Sequence, residues 1–141
     1  MVVTTRIFGL AAIFTAALVM PVLAENSTAG DTVQAVIDTQ GKQRLEIVGG
    51  SYFFEPRHII VKVNIPTELT VRREPGIVPH TFVIRNPDAG VLIDETLSTS
   101  AKTFAFTPVA VGKYTFYCRN KLLFFKSHKD KGMEGILEVV P

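Results

Sequence analysis

Short runs of strand-forming residues, separated by turn residues, recur along this sequence and constrain its fold more than any other feature. Runs such as "RHIIVKVN" (57–64) and "KTFAFTP" (102–108) are rich in β-branched or aromatic residues, or alternate between apolar and polar side chains. Residues 25–141 contain no window of about 12 or more residues with a convincing helical period. Runs at roughly ten-residue intervals predict an all-β fold, a Greek-key β-sandwich of about seven to eight strands.

Two segments are less regular than the others. The stretch "QRLEIVGGSYFF" (43–54) predicts one strand with a bend or bulge at its Gly-Gly pair. The stretch "PDAGVLIDETLSTSA" (87–101) predicts a longer connection with a helical turn.

The first 24 residues have the pattern of a signal peptide. Arg6 precedes an apolar run that is short for a membrane span, and "VLA", ending at Ala24, has small residues where a signal peptidase needs them. The pattern predicts export to the periplasm with cleavage after Ala24, although an uncleaved anchor is the alternative. Residues 25–43 are then an N-terminal tail with a candidate first strand, and residues 44–141 form the domain. The chain after Ala24 has no second long apolar run, so we expect no membrane span in the mature protein.

The charge of the whole chain is nearly balanced, with 15 basic and 13 acidic residues. Nothing in this balance suggests a nucleic acid partner. One stretch is strongly basic and contains a single acidic residue, Asp130. Its basic residues are Arg119, Lys121, Lys126, Lys129 and Lys131.

The chain has one cysteine, Cys118. A single cysteine in an exported protein indicates an intermolecular bridge, a reactive thiol or a metal thiolate, or else a small buried core residue. It excludes sites that need two cysteines, such as a CxxC redox pair or a dinuclear copper centre with two bridging thiolates.

Four soft donor residues form a candidate metal site. His80 begins the strand-like run "HTFVIRN" and Cys118 ends "VGKYTFYC", and such strand ends can meet at one edge of an antiparallel sandwich. His128 and Met133 follow on the next loop. One thiolate, two imidazoles and a weak thioether are the ligands of a type 1 copper site, whereas zinc favours a closed tetrahedron without a thioether. His58 has no partner motif and is interpreted as a solvent-facing residue.

Three segments resemble the cupredoxins, the small blue copper proteins of the plastocyanin and azurin kind. They are "PHTFVI" (79–84), "GKYTFYC" (112–118) and "HKDKGMEGILEV" (128–139), and the resemblance covers about residues 44–141. It implies one copper ion bound by the metal ligands His80, Cys118, His128 and Met133. Two departures stand out. Nine residues, "RNKLLFFKS", separate Cys118 from His128, which is a longer spacing than most members have. Thr81 stands where many members have an asparagine that ties the two ligand loops together.

The resemblance implies a one-electron carrier between periplasmic redox partners, such as a cytochrome, an oxidase or an oxidoreductase. We expect a carrier rather than an enzyme, because a further catalytic copper needs its own histidines and only His58 remains. A copper-handling protein for storage, trafficking or resistance is the alternative. A structural or adhesive sandwich without metal is the third hypothesis.

The apolar run Leu122–Phe125 has two interpretations. It either folds onto the sandwich or remains exposed as a patch that docks a partner or a membrane surface. We favour folding onto the sandwich, because four exposed large apolar residues promote aggregation. The basic residues around the run either keep it soluble or steer an acidic redox partner toward His128.

Overall fold

The structure, a computed structural model, describes residues 31–141, which form two β-sheets. The predicted signal peptide lies outside the described residues. The six-stranded sheet has, in spatial order, β1 (Thr32–Gln34), β5 (His58–Lys62), β11 (Glu134–Val140), β10 (Gly112–Tyr117), β7 (Thr81–Asn86) and β8 (Val91–Thr96). The five-stranded sheet has, in order, β2 (Val36–Ile37), β3 (Gln43–Gly50), β6 (Thr67–Arg73) and β9 (Lys102–Phe106), while β4 (Phe53–Glu55) pairs with β3.

Alternating apolar side chains of the two sheets meet in one core. In β3, for example, Leu45 and Ile47 are buried while Arg44 and Glu46, which alternate with them, are exposed, as a half-buried strand requires. Three phenylalanines, Phe54, Phe82 and Phe116, are almost fully buried, with ring centroids 5.2–5.5 Å apart. Edge contacts between such rings add to the free energy of burial.

The predicted β-sandwich is confirmed. The described residues contain eleven strands rather than seven or eight. The excess comes from β1, β2 and β4, which have two or three residues each and are too short to show as separate periodic runs. The part of the chain that the structure describes contains no helix long and apolar enough to cross a membrane.

Both irregular segments differ from the sequence prediction. Residues 43–54 do not form one bent strand but a tight hairpin, in which Gly50 of β3 lies opposite Phe53 of β4. Tyr52, in the turn, has φ +68°. Residues 87–101 begin with the predicted short helical turn, but β8 follows and pairs with β7 along its length. Burial alternates within β8, with Val91 buried and Leu92 exposed, but both residues are apolar, so the sequence shows no period-two pattern that would have indicated this strand.

Strand register brings three chain segments to one end of the six-stranded sheet. Tyr117, the last residue of β10, lies opposite Val83 near the start of β7 and opposite Glu134 at the start of β11. The residues just before β7, just after β10 and just before β11 are therefore neighbours. These positions are His80, Cys118 and Met133.

Candidate metal centre

His80, Cys118 and His128 come together at this end of the sandwich. One donor atom from each lies within 4.8 Å of the other two, and all three residues are buried. The two Nδ1 atoms of His80 and His128 are 3.2 Å apart, and Cys118 Sγ is 3.4 Å from His128 Nδ1. Among the described residues, this is the only group of three or more such donors close enough to hold one ion.

The spacing and chemistry of these donors suit a metal ion. Imidazole nitrogens bind a divalent ion such as zinc at about 2.0–2.1 Å, so two nitrogens at tetrahedral or trigonal angles lie about 3.3–3.6 Å apart. The observed separation of 3.2 Å is close to that range. One sulfur and two nitrogens leave the ion room for a further weak ligand, which is the open arrangement of blue copper rather than a closed zinc site.

Thr81 joins the two ligand segments, a role that the sequence analysis did not give it. Its N–H donates to Cys118 Sγ at 3.3 Å, and its hydroxyl lies 3.6 Å from the same sulfur. The same hydroxyl accepts the N–H of Arg119 at 3.0 Å. Thr81 therefore ties the two ligand segments together itself, at the position where the sequence departs from the asparagine of many cupredoxins. Only long-range pairing of β7 with β10 reveals it.

Hydrogen bonds of Asn120 with His128 and Pro79 close the nine-residue loop at its base, which we call the neck. The N–H of His128 donates to the carbonyl of Asn120 at 2.9 Å, which brings the chain back after the excursion. The side-chain amide of Asn120 donates to the carbonyl of Pro79 at 2.8 Å, next to His80. Only residues 121–127 therefore lie outside the neck, and the spacing does not displace the histidine.

Met133 is fully buried beside the group. Its N–H donates to the carbonyl of His128, and its carbonyl accepts the N–H of Cys118, both at 3.0 Å. Gly132, with φ +96°, makes the turn that leads into it, a conformation that favours glycine. Hydrogen bonds of the main chain thus hold Met133 between Cys118 and His128. Its role as an axial ligand stays a prediction.

Burial keeps both imidazoles neutral. Desolvation, followed by the charges of His128 and Arg73, lowers the pKa of His80 from 6.5 to about 4. Desolvation and the ammonium group of Lys131 lower the pKa of His128. At neutral pH each ring therefore has a nitrogen lone pair free to bind a metal.

Tyr52 also belongs to the site, although no spacing in the sequence indicated it. Its ring centroid is 4.9 Å from that of His128, edge-on at 85°, and 6.5 Å from that of His80. The ammonium group of Lys131 lies 4.2 Å from the Tyr52 ring centroid. The hairpin turn between β3 and β4 carries the tyrosine to this position.

His58 lies outside the group. Its Nε2 is 2.7 Å from a carboxylate oxygen of Glu138 on the neighbouring strand β11, and its Nδ1 is 3.2 Å from the hydroxyl of Thr32. Its side chain is 28% exposed, so it is half-buried rather than solvent-facing as predicted. His58 therefore fastens β1 and β11 to β5.

The apolar run does not fold onto the sandwich, so the favoured interpretation was wrong. Leu122, Leu123, Phe124 and Phe125 are 65%, 75%, 100% and 63% exposed. The N–H of Phe125 donates to the carbonyl of Leu122, and Leu123 has φ +45°. Because this tight turn lies beyond the neck, its side chains project away from the sandwich instead of reaching the core.

The basic residues of the same stretch fall into two groups. Arg119 pairs with Asp94 at 2.8 Å, Lys129 lies 3.7 Å from Glu134, and Lys131 stacks on Tyr52. Lys121 and Lys126, on either side of the apolar run, have no salt-bridge partner among residues 31–141. Within this stretch, two of the basic residues that form no salt bridge thus lie directly beside the exposed apolar residues.

A groove of about 540 Å³ separates this loop from the loop before β7. Leu122 and Phe125 line one side, Ile77 and Val78 line the other, and His128 contributes to its wall. His128 is only 6% exposed, so the groove is the approach to its ring from outside.

Comparison with solved structures identifies the fold. The metal-binding domain of the Streptococcus pneumoniae D39 Cu(I)-exporting P-type ATPase CopA matches with a TM-score of 0.57 and 24% identity, over 78% of this chain and 96% of that domain. Reduced auracyanin from Roseiflexus castenholzii matches with a TM-score of 0.53 and 19% identity, over 70% and 97% of the two chains. The periplasmic domain of cytochrome oxidase subunit II of Bradyrhizobium japonicum matches with a TM-score of 0.50 and 17% identity, over 69% and 83%.

These likenesses show that the chain has the cupredoxin fold. The fold occurs here in auracyanin, in the metal-binding domain of a Cu(I)-exporting ATPase and in a cytochrome oxidase subunit, so the fold alone does not decide the function. No family model and no curated protein matches the sequence.

Proposed function

We propose that the protein is an exported, mononuclear type 1 copper protein that carries single electrons between periplasmic redox partners. The observation that carries the proposal is the buried group of two imidazole nitrogens and one thiol sulfur within 4.8 Å. Copper, when bound, supplies a one-electron couple between Cu(I) and Cu(II). His80, Cys118 and His128 would hold it, with Met133 as the weak axial ligand.

The residues around the site suit such a carrier. The N–H of Thr81 donates to Cys118 Sγ, so it stabilises the thiolate that a metal needs. The ends of strands in the six-stranded sheet and the neck hold the ligand residues in place, which restricts their movement between oxidation states. We propose a carrier rather than an enzyme, because a further catalytic copper would need histidines of its own. Only His58 lies outside the group, and it is hydrogen-bonded to Glu138.

The expected partners are a cytochrome, an oxidase or an oxidoreductase. The similarity to the cytochrome oxidase domain and to auracyanin supports partners of this kind. Such partners would reach His128 through the groove beside the loop.

Titration with Cu(II), followed by visible absorption, tests the proposal. We expect an intense thiolate-to-copper band that saturates at one copper per chain. His128→Gln should remove or strongly weaken this band, whereas the matched control His58→Gln should keep it, because His58 lies outside the donor group. Folded protein that binds no copper, or a band that survives Cys118→Ser, would overturn the proposal.

Copper handling is the second candidate. It is favoured by the groove that leads to His128 and by the likeness to a transporter's metal-binding domain. The two candidates differ in kinetics. A carrier exchanges electrons reversibly at an electrode and keeps its copper when a Cu(I) chelator is added, whereas a handling protein transfers Cu(I) to the chelator rapidly.

A further inference from the structure

The most prominent surface feature outside the metal centre is the loop tip, residues 121–126, with the sequence Lys-Leu-Leu-Phe-Phe-Lys. Its four apolar side chains are between 63% and 100% exposed, and lysines bracket them. We propose that this tip inserts into the interface of an anionic phospholipid membrane and docks the protein there, with the metal centre facing the membrane.

The shape of the tip favours lipid over a protein pocket. Phe125 donates its N–H to the carbonyl of Leu122, so four consecutive residues form one tight turn. Consecutive side chains in such a turn point in different directions. A protein interface gains most from one or two anchors in fitted pockets, whereas the acyl boundary of a membrane accepts apolar side chains that point in any direction.

The charge around the tip complements an anionic surface. Lys121 and Lys126 have no salt-bridge partner among residues 31–141, and Asp130 is the only acidic residue between Arg119 and Lys131. Asp130 accepts hydrogen bonds from Ser127, and the charges of Lys121 and Lys126 help to lower its pKa, so it offsets part of their charge but is outnumbered by the two lysines. Lysines can bury their methylene stems while their ammonium groups stay among the lipid headgroups.

The base of the loop can bear this insertion without disturbing the metal centre. The neck is fixed by the hydrogen bond from His128 to Asn120 and by that from Asn120 to Pro79. Across the groove, Ile77 is fully exposed and adds apolar surface at the same end of the molecule. The docked protein would thus hold the groove and His128 close to the lipid surface, where membrane-bound partners are found.

Co-sedimentation with lipid vesicles tests the inference, using the chain from Glu25 onward, whose described residues contain the complete two-sheet core. We expect binding to phosphatidylglycerol-rich vesicles and much weaker binding to pure phosphatidylcholine vesicles. The double variant Leu123→Ser/Phe124→Ser should weaken binding by about tenfold or more, since it removes two large apolar groups from the lipid. Lys121→Glu/Lys126→Glu should weaken it by about tenfold or more at low salt.

Matched controls separate this effect from general changes in surface. Val36→Ser/Leu92→Ser removes two apolar residues that are 75% and 67% exposed on the strands, and should leave vesicle binding unchanged. Lys62→Glu/Arg72→Glu makes the same change in charge on exposed strand residues and should have a much smaller effect than the tip variant.

Two results would overturn the inference. One is that the unsubstituted protein does not bind phosphatidylglycerol vesicles. The other is that the tip variants and the control variants weaken vesicle binding equally. If the protein does not bind the vesicles but Leu123→Ser/Phe124→Ser slows its electron exchange with a soluble redox protein, the tip is a protein-docking surface instead. Copper binding by the same samples is measured separately, so failure of membrane docking leaves the copper proposal unaffected.

Discussion

The chain between Cys118 and Met133 contains two regions that are held in opposite ways. The ligand residues and the neck are buried or hydrogen-bonded to the sandwich, with His128 bound to Asn120 and Met133 bound to both Cys118 and His128. The loop tip, residues 121–126, is exposed and contributes nothing to the core. The same segment thus combines a rigid site with a projecting surface.

This difference shows how the fold accommodates a long ligand loop. Its ligand positions are determined by strand ends and by a few main-chain hydrogen bonds, so extra residues can be added beyond the neck with little energetic cost to the site. The rigid region should therefore be sensitive to small changes that leave the tip unaffected.

The largest effect is expected where β11 begins, directly after the site. A methyl group at Gly135 would overlap with the carbonyl oxygen of Arg57 and with the buried ring of Phe116. Gly135→Ala should lower the free energy of unfolding by about 3 kcal/mol, because neither neighbour can move away easily. Chemical denaturation measures this change.

Gly76→Ala is the matched control, since an added methyl group there meets nothing within 4 Å. It should change the stability by less than about 0.5 kcal/mol. Equal effects of the two substitutions would show that the start of β11 is not tightly packed.

The next largest effect is expected on the stability of the metal-free protein at acidic pH. The unfolded chain protonates His80 at its ordinary pKa of 6.5, but in the folded, metal-free protein the pKa is about 4. Protons therefore favour the unfolded state between these values, and stability is lost as the pH falls through this range. The free energy of unfolding should decrease by about 1.5 kcal/mol between pH 6.5 and pH 5.

Denaturation of metal-free protein at a series of pH values measures this dependence. His80→Gln should flatten it, leaving the contribution of His128, whose pKa is lowered as well. An unchanged slope in this variant would contradict the assignment of the dependence to His80.

A smaller effect is expected at Thr81, the link between the two ligand segments. Thr81→Val keeps the shape but leaves the N–H of Arg119 without its acceptor. The protein should lose about 1 kcal/mol of stability, and the thiolate-to-copper band should shift because one contact to Cys118 Sγ disappears. Thr103→Val, which removes an exposed hydroxyl contact on β9, should do neither.

The smallest effect is expected in the loop tip. Phe124 is fully exposed, so Phe124→Ala should change the free energy of unfolding by less than about 0.5 kcal/mol and should leave the visible band in place. A large loss of stability would mean that the tip packs on the sandwich after all.

Sequence reasoning reached the parts of this molecule that depend on local pattern. Strand periodicity indicated the sandwich, and the positions of His80 and Cys118 at strand ends indicated their meeting. Tyr52 and Thr81 were missed because their roles arise from a hairpin turn and from pairing between distant strands. The apolar run was misjudged because aggregation risk says nothing about where a turn directs its side chains.

X-ray absorption at the copper edge, on protein loaded with one equivalent of Cu(II), tests the central claim most directly. The account predicts one sulfur and two imidazole nitrogens as the near neighbours of copper, from Cys118, His80 and His128. Loss of the sulfur signal in Cys118→Ser and its persistence in Phe124→Ala would assign it to the rigid region. Copper surrounded only by nitrogen and oxygen in the folded, unsubstituted protein would contradict the account.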